Sequence, residues 1–452
     1  MSRRLSGRLS DRLSRRFFLL GSAALLGACA QAPVAPVSTE AAPTAQACPD
    51  SVPAGTRCWF GRDSAGAHYL VAMPAQWNGT LVLHAHGGPT LGEPKPDRAL
   101  EDLKRWSVWV RSGYLFAAST FRQGGVEVRA AAEDTERLRR IVLQHVAQPK
   151  KTILHGQSWG AGVAAKGAEM FTEGKPYDAV LLTSGVLAGG SRAYNFRLDL
   201  RAVYQYYCNN HPRPTEPQYP LWMGLPAGAK MSSQQLTERT RECIGQGVPA
   251  AQRTPEQAKR LATIAKVIRI PESSVHGHLN WATGHFQDTV QNRTGGLNPW
   301  GNIGVRYTGS DDDAALNAGV ARYAADPAAV ARMVADTDPT GRIPVPVLTL
   351  HAVKDATAFV EMQSAFRETM HRGGSGERLV QVFADHSEHS YLADPLYVTL
   401  AEAALAWASG AAKPTPAGLA QRCQALEATW GAGCKLLPTF QPPPFDSRVY
   451  PR

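Results

Sequence analysis

The sequence has no CxxC pair, no internal repeat and, outside its first residues, no run of Lys or Arg. The first absence removes the basic motif of thiol redox chemistry and of zinc ribbons. The second leaves no case for a solenoid, and the third leaves no specific case for nucleic acid as a partner. Charge is sparse as well: 19% of the residues are charged against 44% hydrophobic. With 41 Gly and 32 Pro in 452 residues, the composition is that of a globular, loop-rich chain. It excludes a disordered, collagen-like or coiled-coil protein and leaves enough apolar surface for a real core. The formal net charge is +10, but half of that surplus comes from residues 1–28, where Arg3, Arg4, Arg8, Arg12, Arg15 and Arg16 face only Asp11.

That basic start runs into an apolar stretch, Phe17 to Ala28, too short for a stable membrane-spanning helix and of the right length for the apolar part of a signal peptide. Residues 1–28 are therefore expected to be a leader. Ser14-Arg15-Arg16-Phe17-Phe18-Leu19-Leu20 resembles a twin-arginine export signal, and Leu26-Gly27-Ala28-Cys29 resembles the lipobox of bacterial lipoproteins. That resemblance implies an exported bacterial lipoprotein, acylated at Cys29 and tethered to the periplasmic face of the outer membrane or to the cell surface. The alternative is an ordinary secretory signal cut near Ala30. Residues 29–47, rich in Ala, Pro, Ser and Thr, read as a flexible spacer. Beyond Cys29 six cysteines remain, an even number that suits pairing in an oxidising compartment. Their grouping along the chain suggests three local staples, Cys48 with Cys58, Cys208 with Cys243, and Cys423 with Cys434.

From residue 48 the pattern is a hairpin (Cys58 to Arg62, His68 to Met73) followed by alternating strands and helices. Strands are expected at Thr80–His86, Tyr114–Ser119, Thr152–His155, Ala179–Thr183, Val345–His351 and Leu379–Phe383. Helices are expected at Arg98–Ser112, Ala130–Val146, Ala161–Glu173, Val360–His371 and Leu396–Trp407. Continuous apolar strands separated by helices indicate an α/β fold with a mostly parallel sheet covered on both faces. The rhythm breaks between 186 and 340, where Pro, Gly, Trp and polar residues dominate and only local helices such as Ser232–Glu242 and Asp312–Ala325 stand out. This stretch reads as a lid inserted into a core made of 48–185 and 341–412, with 413–452 a Pro-rich tail.

Gly156-Gln157-Ser158-Trp159-Gly160 sits directly after a strand and before a helix of small residues. A serine hydroxyl is a weak nucleophile unless it is exposed on a tight turn and served by a base, and such a turn with flanking glycines meets the first condition. The helix that starts there directs N–H groups at the same point, with Trp159 as one oxyanion donor and Gly88 (or Gly87) of His84-Ala85-His86-Gly87-Gly88-Pro89 as the other. An acid and a histidine are then needed further along. Asp355, just after a strand, suits the acid, although it could equally cap the next helix. His389 suits the base, with His386 as the alternative. His276, His278 and His285 cluster within the lid but lack the accompanying ligands of a metal site, so no metal is expected. Asp311-Asp312-Asp313 reads as a helix N-terminus rather than a calcium loop. The lid aromatics Trp222, Trp281, Trp300, Tyr204, Tyr206, Tyr207 and Tyr219 suit either the lid's own core or an acyl pocket.

Taken together, these stretches resemble the α/β-hydrolases, in particular secreted bacterial serine esterases with a long lid; the resemblance covers about Leu81 to Pro414. It implies an α/β-hydrolase fold and cleavage of a small or oligomeric carboxylic ester through Ser158, His389 and Asp355, without a cofactor. The Gly-Gly-Pro stretch and the Trp after the serine are also similar to proline iminopeptidases, which makes a peptidase one alternative. A catalytically inactive, ligand-binding lipoprotein is the other.

Overall fold

The computed structural model describes residues 40–452. Nine strands form one sheet: β1 (Thr44–Gln46), β2 (Arg57–Arg62), β3 (His68–Met73), β4 (Thr80–Ala85), β5 (Leu115–Ser119), β6 (Lys151–Gln157), β7 (Ala179–Thr183), β8 (Val347–Ala352) and β9 (Leu379–Ala384). Their spatial order is β1-β2-β3-β5-β4-β6-β7-β8-β9, antiparallel from β1 through β3 to β5 and parallel from β5 onward. This is the mostly parallel, doubly covered α/β architecture that the apolar strands imply.

The strands are apolar on both sides because both sides are buried. On one face Val82, Ile153, Leu181 and Leu348 pack with the helices α1 (Asp97–Arg105) and α2 (Val108–Arg111) and with the chain beyond β9. On the other, Leu81, Leu83, Leu154, Val180 and Val347 pack against α3 (Val128–His145) and α4 (Trp159–Met170). The helix expected over Arg98–Ser112 is thus two, broken at Trp106-Ser107, which lets the fully buried Trp106 and Trp109 both turn inward.

Between β7 and β8 lie seven helices: α5 (Gly190–Ala193), α6 (Asn195–Cys208), α7 (Ser233–Ile244), α8 (Pro255–Ile268), α9 (Val275–Asp288), α10 (Asp313–Gly319) and α11 (Pro327–Thr337). The insertion is therefore far more helical than its composition suggests, and it has its own core, in which Phe286 stacks on Trp300 at 3.7 Å between ring centroids. The helix expected at Asp312–Ala325 stops at Gly319, and Asp312 is its N-cap, accepting from the Ala315 N–H at 2.9 Å. After β8 come α12 (Met362–Arg372), α13 (Asp394–Ala408) and α14 (Pro416–Trp430), so the Pro-rich tail contains a four-turn helix packed on α13. Beyond α14 the chain returns to the insertion, where Arg452 pairs with Asp199 at 2.7 Å and the Tyr450 hydroxyl donates to the Val267 carbonyl at 2.8 Å.

Two further differences concern the N-terminal side. Thr44–Gln46, within the stretch read as a flexible spacer, pairs with β2, and the Cys48–Cys58 disulfide fixes it there. Cys208–Cys243 and Cys423–Cys434 are bonded too, so all three staples join chain neighbours. Cys29 and the leader lie outside the described residues. Among the described residues no helix is long and apolar enough to cross a membrane.

Under the centre of the sheet sit three buried imidazoles. His84 on β4 and His155 on β6 meet Nδ1 to Nδ1 at 2.9 Å, and His86 stacks on Phe121. Burial holds His86 and His155 down to about 3 and His84 well below the ordinary range. These rings stay neutral in the fold, whereas in the unfolded chain a histidine takes a proton near pH ~6.5. The unfolded state thus binds more protons as the pH drops from there, and stability is lost in that direction. Thermal unfolding between pH 7 and pH 4 should show Tm falling steadily, with a shallower slope in His155→Asn; a flat wild-type profile would contradict this.

Candidate active site

Ser158 stands at the end of β6 with φ 57° and ψ −120°, a strained conformation for a residue with a side chain. Two glycines make the bend possible. A Cβ on Gly156 would lie 2.2 Å from the Gly160 carbonyl oxygen, and one on Gly160 would lie 2.2 Å from the Ala85 carbonyl oxygen. The backbone of the turn is pinned as well: the Ser158 N–H donates to the Thr183 carbonyl at 2.9 Å, and the Val186 N–H donates to the Ser158 carbonyl at 3.0 Å.

The three side chains singled out from the sequence meet here. Ser158 Oγ donates to His389 Nε2 at 2.7 Å, and His389 Nδ1 donates to Asp355 Oδ2 at 2.7 Å. Asp355 lies in the turn after β8 and is 5% exposed. Its other oxygen, Oδ1, accepts from the N–H groups of Thr357 and Ala358 at 2.8 and 3.0 Å. One oxygen thus closes the turn after β8 and the other faces the imidazole; Asp355 does not cap the following helix, which starts at Met362. His386 is held elsewhere, with Nε2 donating to the Gly433 carbonyl at 2.9 Å and Nδ1 lying 3.1 Å from Glu388. It belongs to the contact between the loop after β9 and the end of α14.

Gly88 and Trp159 border the same cavity, of about 280 Å³. Trp159 opens α4, so its N–H is among those that find no acceptor within the helix. The Gly88 N–H shares a peptide plane with the Gly87 carbonyl and points opposite to it. That carbonyl is held by His86 Nδ1 at 3.0 Å and Arg98 Nη2 at 3.1 Å, which fixes the orientation of the plane. A Cβ on Gly87 would lie 3.0 Å from the Ser158 Cβ, so only glycine fits so close to the serine.

The lid completes the cavity through α9. His278 Nε2 donates to the Ala356 carbonyl beside Asp355 at 3.0 Å, and His285 Nε2 donates to the Pro89 carbonyl beside Gly88 at 2.7 Å. Burial holds His278 well below the usual histidine range and His285 at about 4, so both are neutral donors. His276 instead meets the Thr240 hydroxyl at 3.0 Å. Among the described residues no three His, Cys, Asp or Glu side chains converge as a metal site. Between the two fastening histidines, Trp281 borders the cavity and stacks on His285, whereas Trp300 and Tyr204 are buried in the lid core. Tyr207 and Trp222 pack against that core, Tyr206 is exposed, and Trp281 alone of these aromatics borders the cavity. Sequence reasoning missed Arg98, Arg105, Tyr194 and Arg197 in the cavity wall. The spacing of Tyr194, Arg197 and Arg201 along one helix face was a readable signal, obscured because the charged residues are buried ones.

Sheet order, strained serine turn and an insertion between β7 and β8 together make this an α/β-hydrolase fold. No protein-family model and no curated protein matches the chain. Among solved structures, it is similar to an esterase from Aspergillus oryzae at 12% identity and a TM-score of 0.46, over 82% of this chain and 86% of that one. Feruloyl esterase B from Aspergillus oryzae is similar at 14% identity and TM-score 0.40, over 79% and 81%. A puromycin hydrolase is similar at 13% and TM-score 0.37, over 84% of this chain and 41% of that one. At these scores the likenesses carry no argument about activity, and the site has to speak for itself.

A fluorophosphonate probe reports serine activation directly. Ser158 should be labelled, with labelling abolished in His389→Gln and retained in His386→Gln; the reverse order would make His386 the partner of the serine.

Proposed function

We propose that the protein is a serine hydrolase that cleaves a carboxylic ester through an acyl-enzyme. The observation that carries this reading is the unbroken hydrogen-bonded line from Ser158 through His389 to Asp355, with the serine on a strained turn at the cavity wall. Ser158 Oγ attacks the ester carbonyl as His389 Nε2 takes its proton, and Asp355 holds the imidazole in the tautomer that can accept it. The N–H groups of Trp159 and Gly88 receive the oxyanion as charge develops on the carbonyl oxygen. His389 then hands the proton to the leaving alcohol, and a water activated by the same imidazole releases the acid. No step calls for a cofactor.

Export and lipidation at Cys29 complete the proposal. The three disulfides support an oxidising compartment, and a lipidated Cys29 would hold the folded body at a membrane surface. An ester as substrate, without nucleic acid as a partner, fits the modest charge left once the leader is removed.

Ser158→Ala should lower ester turnover by about 10⁴-fold to 10⁶-fold, the range seen for other triads. Hydrolysis at the wild-type rate in that variant would end the mechanism, and faster cleavage of an amide than of its matched ester would move the reading to a peptidase. Cys29→Ser, expressed in a bacterium with lipoprotein export, should shift the protein from the membrane to the soluble periplasmic fraction. Retention in the membrane fraction would rule out the lipid tether.

A further inference from the structure

Arg197 on α6 lines the cavity beside Ser158 and is 5% exposed. Its side chain makes no hydrogen bond or ion pair among the described residues, and Nε and Nη1 are buried without a partner. The faces of the guanidinium are covered instead by aromatic rings, with Cζ at 4.3 Å from the centroid of Trp281, 4.7 Å from Phe196 and 5.3 Å from Tyr194. Desolvation alone brings it down to about 10, so it remains a cation at neutral pH. The histidines nearest to it, His278 and His285, are neutral, and no Asp or Glu among the described residues borders the cavity. One turn further on, Arg201 is also buried and also leaves Nε and Nη2 without a partner, but it gives its Nη1 to Thr283, His211 and the Ala282 carbonyl and does not border the cavity. Arg201 is part of the lid's framework, and Arg197 has no such duty.

A buried cation is costly to keep unless something compensates it. The rings around Cζ offer its N–H groups no carbonyl or carboxylate oxygen, and a planar carboxylate can take two parallel hydrogen bonds from a guanidinium. Of the other two arginines at the cavity, Arg98 is already engaged by Asp102 at 3.4 Å, and Arg105 lies exposed at the mouth. One buried charge calls for one anionic group. We infer that the substrate carries a carboxylate besides its ester and that Arg197 binds it; the site therefore takes esters such as monoesters of dicarboxylic acids or hydroxy acids acylated on their hydroxyl. This rests on the serine hydrolase reading for its chemistry, though not for its binding.

The test pairs mono-p-nitrophenyl glutarate with p-nitrophenyl pentanoate, placing the charge on the acyl side, and para-acetoxybenzoate with phenyl acetate, placing it on the alcohol side. In the wild type one charged member should exceed its neutral partner in kcat/KM by about tenfold or more, mainly through KM. The advantage should collapse in Arg197→Gln and return in part in Arg197→Lys. Equal or lower kcat/KM for both charged members in the wild type overturns the proposal. Calorimetry of Ser158→Ala with glutaranilic acid and with its methyl ester decides the binding claim without hydrolysis and without altering Arg197. Tighter binding of the acid supports it, and equal or weaker binding overturns it. Failure of the fluorophosphonate to label the wild type would sink the hydrolase reading alone, leaving the calorimetric comparison to decide the carboxylate site.

Discussion

The close approach of the first turn of α4 to the end of β4 is the constraint on which the rest of the site depends. Gly160 touches the Ala85 and His86 carbonyl oxygens so closely that no side chain could stand between them. That contact forces the bend at Ser158 and draws β6, β4 and the Gly87-Gly88 turn into one corner. It also brings the positive end of α4 to where charge would develop. The buried histidines beneath the sheet belong to the same arrangement, because His86 both stacks on Phe121 and orients the Gly87 carbonyl. The bend at the serine is thus set by backbone packing two layers deep.

The lid is joined to this corner by imidazoles on α9, beside the ion pair of Arg293 with Glu127 at 3.0 Å. His278 and His285, seven residues apart on α9, reach one carbonyl on each side of the cavity, next to Asp355 and next to Gly88. A neutral N–H suits this work because it satisfies a carbonyl without bringing a charge that would need its own partner. Trp281 lies between them on the same helical face, so fastening and lining arise from one amphipathic stripe. Of the three clustered lid histidines, His278 and His285 are spaced for that stripe, and His276 faces Thr240 instead.

The parts of the molecule legible in the sequence were those where local pattern and burial agree. β7 was delimited at both ends because Ala179–Thr183 is apolar throughout and buried on both faces, and the serine turn was legible because its glycines are required by sterics. Chain order called for an acid and then a histidine, but it did not choose between His386 and His389. The lid was less legible because α6 carries Arg197, Asp199 and Arg201 inward, which breaks the usual equation of charge with exposure. A local signal did exist for α8: Thr254-Pro255-Glu256-Gln257 forms a capping box with proline in the first turn, and the structure shows both reciprocal hydrogen bonds. Arg197 could not be assigned to the cavity, since the wall it occupies depends on how α6 and α9 cross, and Arg98 and Arg105 reach it from α1 on the core side.

The segment after α14 gives the lid a second attachment. Arg448 bridges to Glu361 ahead of α12 at 2.9 Å, Tyr450 stacks against Arg269, and Arg452 neutralises Asp199, a buried carboxylate two residues from Arg197. A flap held at one end can swing about a hinge, whereas this one is laced to the core by chain from both sides of the sheet. The wall of the cavity therefore depends on contacts made late in the chain. A change at Arg452 would thus take the cation from Asp199 and so be felt beside Arg197 at the cavity wall.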